Sequence, residues 1–392
     1  MYKVFRLFII FVLIFGNMAI VNAQKKKKTK EFEVVDNIAL SIPDSLTSSV
    51  SDIAGYFNGN FSSEKDKYRA IFIWVATNVK YDVVNMFAAN FYENTDDVIK
   101  KVLSTKKGVC LHYAELFNAI ANKAGLKSYV VSGFTKQVNY VDYIAHVWCV
   151  VKADSLWSFC DPTWGSGYVE SKRFVPKIDN SYFNAKPEFM IQSHMPFDPM
   201  WQFLNRPLPY QEFCATVVLT HSERLYFNYL DTLKAYESQN ALDRATSLTA
   251  RMEKGGEVNS LVFDRLNHNK REVEYLRNKI ASEKYNSLSN MYNESINNYN
   301  LYIDYKNKQF IPEKPDSEIK QMIDNIDSTL NVMVNELNVI KSPDQNFATS
   351  VSQLIQSAQR MQSKVSEQRD FLDKYINTPK KNRKALFYKK SN

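Results

Sequence analysis

The sequence predicts an α+β domain followed by an all-α helical region. Three observations carry this. The chain has 392 residues, 45% hydrophobic and 23% charged. That is a globular composition, in more chain than one core usually organises. Glycine is spread unevenly: eight of the ten lie at or before Gly167, and only Gly255 and Gly256 follow. The first half also alternates helical and strand periodicities, whereas the second is poor in breakers and rich in Asn, Lys, Glu, Ser, Leu and Tyr.

In the first half, Ser63-x-x-Asp66 opens an apolar run through Tyr68, Ile71, Phe72, Val75 and Val79, as a capping box would. A second helix is expected from Cys110 to about Ala124, with Gly108 before it and Gly125 as its C-cap. Strands follow at Tyr129–Gly133, Ala145–Val151 and Leu156–Cys160, the last two a hairpin around Asp154-Ser155. Helix first and antiparallel strands next define the α+β class. Between Tyr210 and Thr378 there are only three Pro (Pro312, Pro315 and Pro343). Apolar stripes at Val332, Met333, Leu337, Ile340 and at Leu354, Ile355, Ala358, Met361 predict long antiparallel helices over 215–392. Gly255-Gly256 and Pro312 with Pro315 separate them.

The two ends differ from the body. Lys3 and Arg6, the apolar run Leu7–Phe15 and Val21-Asn22-Ala23 read as a secretory signal peptide over 1–23. A basic linker (24–39), the α+β domain (40–212), the helical domain (213–378) and a basic tail (379–392) are expected after it. The net charge is +8, but residues 1–30 and 379–392 hold thirteen Lys/Arg and no acid, leaving 31–378 at about −5. No basic stripe interleaved with aromatics emerges, so nucleic acid is set aside as a partner. No membrane span is expected once the signal is removed, and the protein is expected to be exported, periplasmic or secreted. Four Cys are too few for a disulfide scaffold, and in an oxidising compartment a free thiol is buried or chemically employed.

Cys110 stands where a helix starts, and a helix N-terminus stabilises a thiolate. Taken alone, a Cys on an apolar helix face reads more often as a small buried hydrophobe. His146 begins the strand His146-Val-Trp148-Cys149, and Asp161 ends the next one. A two-residue turn at Asp154-Ser155 pairs Ala153 with Leu156 and sets Trp148 opposite Asp161. His146 then shares that face. A carboxylate beside an imidazole fixes its tautomer and stabilises the imidazolium. Alone, the pair reads as a polar strand end. Together the three residues form a generalised thiol triad.

Here a family resemblance becomes specific. Gly108-Val-Cys110-Leu-His-Tyr113-Ala-Glu115-Leu-Phe117 resembles the nucleophile helix of the transglutaminase-like superfamily, a papain-like thiol fold in which a helix packs on an antiparallel sheet. His146-Val-Trp148 resembles its His strand and Asp161-Pro-Thr-Trp164-Gly165 its Asp strand. The blocks from Ala70 to Asp82 and from His194 to Gln202 resemble the subgroup related to the kyphoscoliosis peptidase. The likeness covers roughly 40–210. It implies Cys110 as nucleophile, His146 as general base and acid, and Asp161 as the orienting carboxylate. The backbone N–H of Cys110 is one candidate oxyanion donor; the second, which the sequence does not identify, comes from a neighbouring segment. One departure is Cys149, where the subgroup often has Asn. It also implies acyl transfer from a peptide, protein or cell-wall amide through a thioester, with hydrolysis ahead of cross-linking. No metal or organic cofactor is implied. The alternatives are a cross-linking transglutaminase and a non-catalytic binding or scaffold module that keeps the fold, with a protein partner on the helical half.

Other candidates receive structural readings. His112 lies about 200° around the helix from Cys110 and is a surface or packing residue. His194 is structural. Cys149 and Cys160 face each other away from His146 as two buried thiols, because a direct cross-strand disulfide is strained. Trp74, Trp148, Trp164 and Trp201 are core aromatics, with Trp148 also placed to wall the cleft. Cys214 carries no chemical message.

Overall fold

A computed structural model describes residues 31–88, 90–137, 140–215, 224–341 and 344–388. The expected signal peptide, residues 24–30 of the linker and the last four of the tail lie outside them. The chain forms two compact units. One holds the residues up to Asn240 together with Thr246–Asn269; the other holds Ala241–Ala245 and the residues from Lys270 on.

The first unit opens with α1 (Glu33–Leu40), α2 (Val50–Asn60) and α3 (Glu64–Asn78). Ser63 caps α3, its Oγ accepting the Asp66 N–H at 3.0 Å. Every residue from Tyr68 to Ala76 is buried. β1 (Lys80–Tyr81) pairs in parallel with β2 (Lys107–Gly108), and α4 (Thr95–Thr105) lies between them in sequence. Next come α5 (Cys110–Lys123), β3 (Lys127–Lys136), β4 (Val141–Ala153) and β5 (Leu156–Cys160). The hairpin β6 (Gly167–Glu170) and β7 (Arg173–Pro176) precedes the short helix α6 (Pro187–Met190) and β8 (His194–Pro196). The main sheet has the order β5-β4-β3-β8, antiparallel throughout, and α5 packs against β3 and β4.

β3 and β4 run longer than their apolar cores suggest, and β8 is a strand that sequence periodicity does not announce. Its seat depends on Gly133. A Cβ there would stand 2.1 Å from the Met195 carbonyl oxygen and 2.6 Å from the Trp148 ring, so only glycine lets β8 close on β3.

This unit does not stop at residue 212. α7 (Tyr210–Cys214), α8 (Tyr229–Ser238), most of α9 (Ala241–Gly255) and the start of α10 (Ser260–Asn307) belong to it. The physical reason is burial. Met252, Val262 and Leu266 share one apolar cluster with Phe134, Tyr210 and Phe213. Arg251 also makes a bidentate pair with the buried Asp198 at 2.8 and 2.7 Å. Glycine frequency marks helices but not which core they join.

In the second unit, α11 (Asp316–Asn338) packs on α12 (Gln345–Ile376). Ile323, Leu330, Met333, Leu337, Leu354, Ala358 and Met361 form much of its core. Val332, expected on that stripe, is 50% exposed, one helical step off the buried face. Among the described residues this unit has no strand, and no helix is long and apolar enough to cross a membrane.

Candidate active site

The site is built at the start of α5 and on one face of the β4–β5 hairpin. The chain reaches Cys110 through Gly108, where a Cβ would lie 2.4 Å from the His112 Cβ. His112 is therefore not a surface residue. It is buried, and its Nδ1 accepts the Val109 N–H at 3.3 Å, which fixes the helix entrance. Cys110 is the first residue of the helix and is 4% exposed.

The hairpin turns on Asp154 (φ 49°) and Ser155 (φ 67°), the left-handed pair that a tight two-residue turn requires. Ala153 pairs with Leu156 and Cys149 with Cys160, the register expected from sequence. Asp161 thus follows the last paired residue on the face of Trp148 and His146. His146 Nε2 donates to Asp161 Oδ2 at 2.8 Å. The Cys110 side chain is near enough to the same imidazole to help raise its pKa. Cys110, His146 and Asp161 are therefore brought together.

Sequence reasoning missed the second imidazole. His194 Nε2 also reaches Asp161 Oδ2, at 3.1 Å, while its Nδ1 meets Ser193 Oγ at 2.8 Å. An ionised carboxylate only accepts, so both histidines present Nε2–H to it and His194 Nδ1 accepts the Ser193 hydroxyl. Asp161 Oδ1 takes the backbone N–H groups of Thr163 (2.8 Å) and Trp164 (3.1 Å). A wholly buried carboxylate thus has four donors. Only the pairing of β8 with β3 brings His194 here, and that contact is remote in sequence. Trp148 and Trp164 enclose the imidazoles, with Trp164 4.6 Å from His194 and Trp148 6.0 Å from His146 between ring centroids.

The charges follow from this network. Burial works against a charged His146. The Asp161 carboxylate, and then Cys110, outweigh it, and the pKa rises to about 10. Burial alone would raise Asp161, but His146 and then His194 hold it well below the usual carboxylate range. For His194 burial prevails, and its pKa is lowered.

His146, Asp161 and His194 offer three ligand atoms within 4.8 Å of one another. Their separations of 2.8 and 3.1 Å are hydrogen-bond lengths, so a metal ion would have to displace both N–H protons. The donor set fits a proton network better than an ion.

On the other face, Cys149 and Cys160 are buried free thiols turned towards α5. The Cys149 thiol donates to the Ala114 carbonyl at 3.3 Å, and neither sulfur contacts His146. Trp74, Trp148 and Trp201 are core residues, Trp164 is half-buried at the site, and Cys214 is exposed.

Residues 51–162 match the model of the transglutaminase-like superfamily. The kyphoscoliosis peptidase of Mus musculus is 28% identical over 190 residues, which are 46% of this chain and 28% of that protein. Hillarin of Drosophila melanogaster is 26% identical over 203 residues, 47% of this chain and 24% of that protein. The chain thus matches less than a third of the length of these relatives. A solved TGase structure is 22% identical, covering 41% of this chain and 42% of that one, with a TM-score of 0.25. The chain carries a transglutaminase-like domain of the subgroup related to the kyphoscoliosis peptidase.

Proposed function

We propose that this protein is an exported thiol enzyme that transfers an acyl group from a peptide or amide, usually to water. The observation that carries the reading is the buried His146–Asp161 hydrogen bond, 2.8 Å long, beside a cysteine at the first position of a helix. In the first step Cys110 and His146 act as a thiolate–imidazolium pair, and the sulfur attacks the amide carbonyl. The Cys110 backbone N–H, a first-turn donor without an intrahelical partner, faces the developing oxyanion. His146 then gives its proton to the departing amine as the C–N bond breaks, leaving a thioester on Cys110. Water, deprotonated by His146, attacks the thioester. The C–S bond breaks and a carboxylic acid leaves, restoring the thiolate–imidazolium pair. A lysine amine in place of water would give a cross-link.

Export rests on the 1–23 leader, and periplasm or exterior is the proposed location. A peptide, protein or cell-wall amide is the proposed substrate, with a protein partner on the helical half. One observation favours a second reading, a non-catalytic binding module of the same fold: the Cys110 side chain that substrate must reach is only 4% exposed.

Iodoacetamide labelling separates the two readings. On the enzyme reading an activated Cys110 should alkylate at pH 5.5 nearly as fast as at pH 7.5, and Cys110→Ala should remove the label. An ordinary thiol, of pKa about 8.5, slows roughly 100-fold over those two pH units, and that result would favour the binding module. Mass spectrometry of Cys110 adducts formed from peptide amides then tests the thioester, and the released acid or isopeptide distinguishes hydrolysis from cross-linking.

A further inference from the structure

The mechanism leaves unused a cavity of about 420 Å³, lined in part by the strand face opposite the His146 side chain. It touches β4 at Ala145 and Val147, the neighbours of His146 in sequence. Its floor is apolar, with Val147 and Phe197 almost wholly buried and Leu261 beside them. At the mouth, Phe87 and Tyr143 stack at 6.1 Å with their planes 3° apart, although both are largely exposed. The segment carrying Phe87 continues from Asp82, whose N–H bonds the carbonyl of Gly108, two residues before Cys110.

The polar element is Arg265, on the first turns of α10. Its guanidinium stands 5.7 Å from the Tyr92 ring centroid, and both residues line the cavity. Its Nε–H is buried without an acceptor among the described residues. Buried donors are nearly always satisfied, so an orphaned one lining a cavity marks a missing acceptor. The planar guanidinium suits a carboxylate held through two N–H groups. Asp264 is exposed at the rim of the same cavity and repels highly charged anions. A singly charged carboxylate therefore fits better than a phosphate.

We propose that this cavity is a binding site for an aromatic or large aliphatic side chain that lies next to a carboxylate, as at the C-terminus of an apolar peptide. Its role as a substrate subsite rests on the thiol-enzyme reading; its ligand preference does not. Arg265 and Leu261 lie outside the stretch matched by the superfamily model.

The full chain is titrated by NMR with N-acetyl-L-phenylalanine, its amide and N-acetyl-L-alanine. The acid should bind about tenfold tighter than the amide, the factor that one charge-assisted contact supplies. The alanine compound should bind more weakly than the phenylalanine acid. In Arg265→Gln the acid–amide difference should vanish while the melting temperature and the iodoacetamide rate at Cys110 hold. Equal binding of acid and amide, or a preference that survives Arg265→Gln, would overturn the proposal. The substrate role is read separately, as protection of Cys110 from iodoacetamide by N-acetyl-L-phenylalanine. Binding without protection overturns the subsite role. A Cys110 that never alkylates, with the acid preference intact, overturns the enzyme reading and leaves the binding site standing.

Discussion

The two faces of the β4–β5 hairpin share one backbone and solve burial in opposite ways. On one face Cys149 and Cys160 lie opposite each other among the apolar residues under α5. Burial pushes both thiols up, so they stay neutral, and Cys149 needs no more than a weak hydrogen bond to the Ala114 carbonyl. On the other face Asp161 is equally buried but ionised, and it persists only because four N–H groups converge on it. A neutral group needs packing, whereas an ion needs a complete set of partners. A one-residue slip would exchange the faces and ruin both.

The largest test removes the hub. Asp161→Ala leaves four buried donors without an acceptor and should cost about 3–5 kcal/mol by chemical denaturation. In whatever protein remains folded, iodoacetamide labelling of Cys110 should slow at least about 100-fold, because His146 loses its orienting partner. Labelling at the wild-type rate would detach the carboxylate from the thiol.

Acid and base titration separates the faces next. His146 is raised to about 10 from an unfolded value of about 6.5. Its stabilisation is therefore complete below pH 6.5 and is lost as pH rises through about 10. Cys149 and Cys160 are also raised, so their contribution fades only where unfolded thiols ionise, above about pH 8.5. Asp161 is depressed, and its share disappears on the acid side, below about pH 3.9. His112 and His194, both lowered, lose their share below about pH 6.5. Between pH 6.5 and 8.5 the decline in melting temperature should therefore come chiefly from His146, and His146→Gln should flatten it. An unchanged slope in that variant would show that the imidazole is not protonated.

A smaller effect is expected at His194, which shares the Asp161 carboxylate with His146 and meets its ring at 5.6 Å between centroids. His194→Phe keeps an aromatic ring but removes the N–H, costing about 1–3 kcal/mol and slowing labelling. His194→Gln restores a donor and should recover most of that rate. Equal rates in the two variants would reduce His194 to packing.

These residues also show what could be read in advance. Asp154-Ser155 fixed the hairpin register locally, and with it the faces of His146, Asp161, Cys149 and Cys160. The helix start at Cys110 and the Ser63 cap were equally local. His194 was not, because its role depends on β8 pairing with β3 some sixty residues away, at a glycine whose purpose appears only in three dimensions. Arg265 was further out of reach. Nothing in the pattern of a helix states which of its cations will face a cavity from another part of the chain.

The smallest effect should fall on the apolar face. Cys149→Ala removes one sulfur from a fully buried position and a weak hydrogen bond to a carbonyl that lies within α5. No charged group loses a partner, and Cys160 remains neutral opposite the vacated space. The expected cost is about 1 kcal/mol, the scale of deleting one buried methylene-sized group. Labelling of Cys110 should be unchanged, because the Cys149 side chain points away from the imidazole. A rate loss comparable to that of His194→Phe would mean that the two faces are mechanically coupled through the sheet, and that the site depends on the packing behind it as much as on the donors around Asp161.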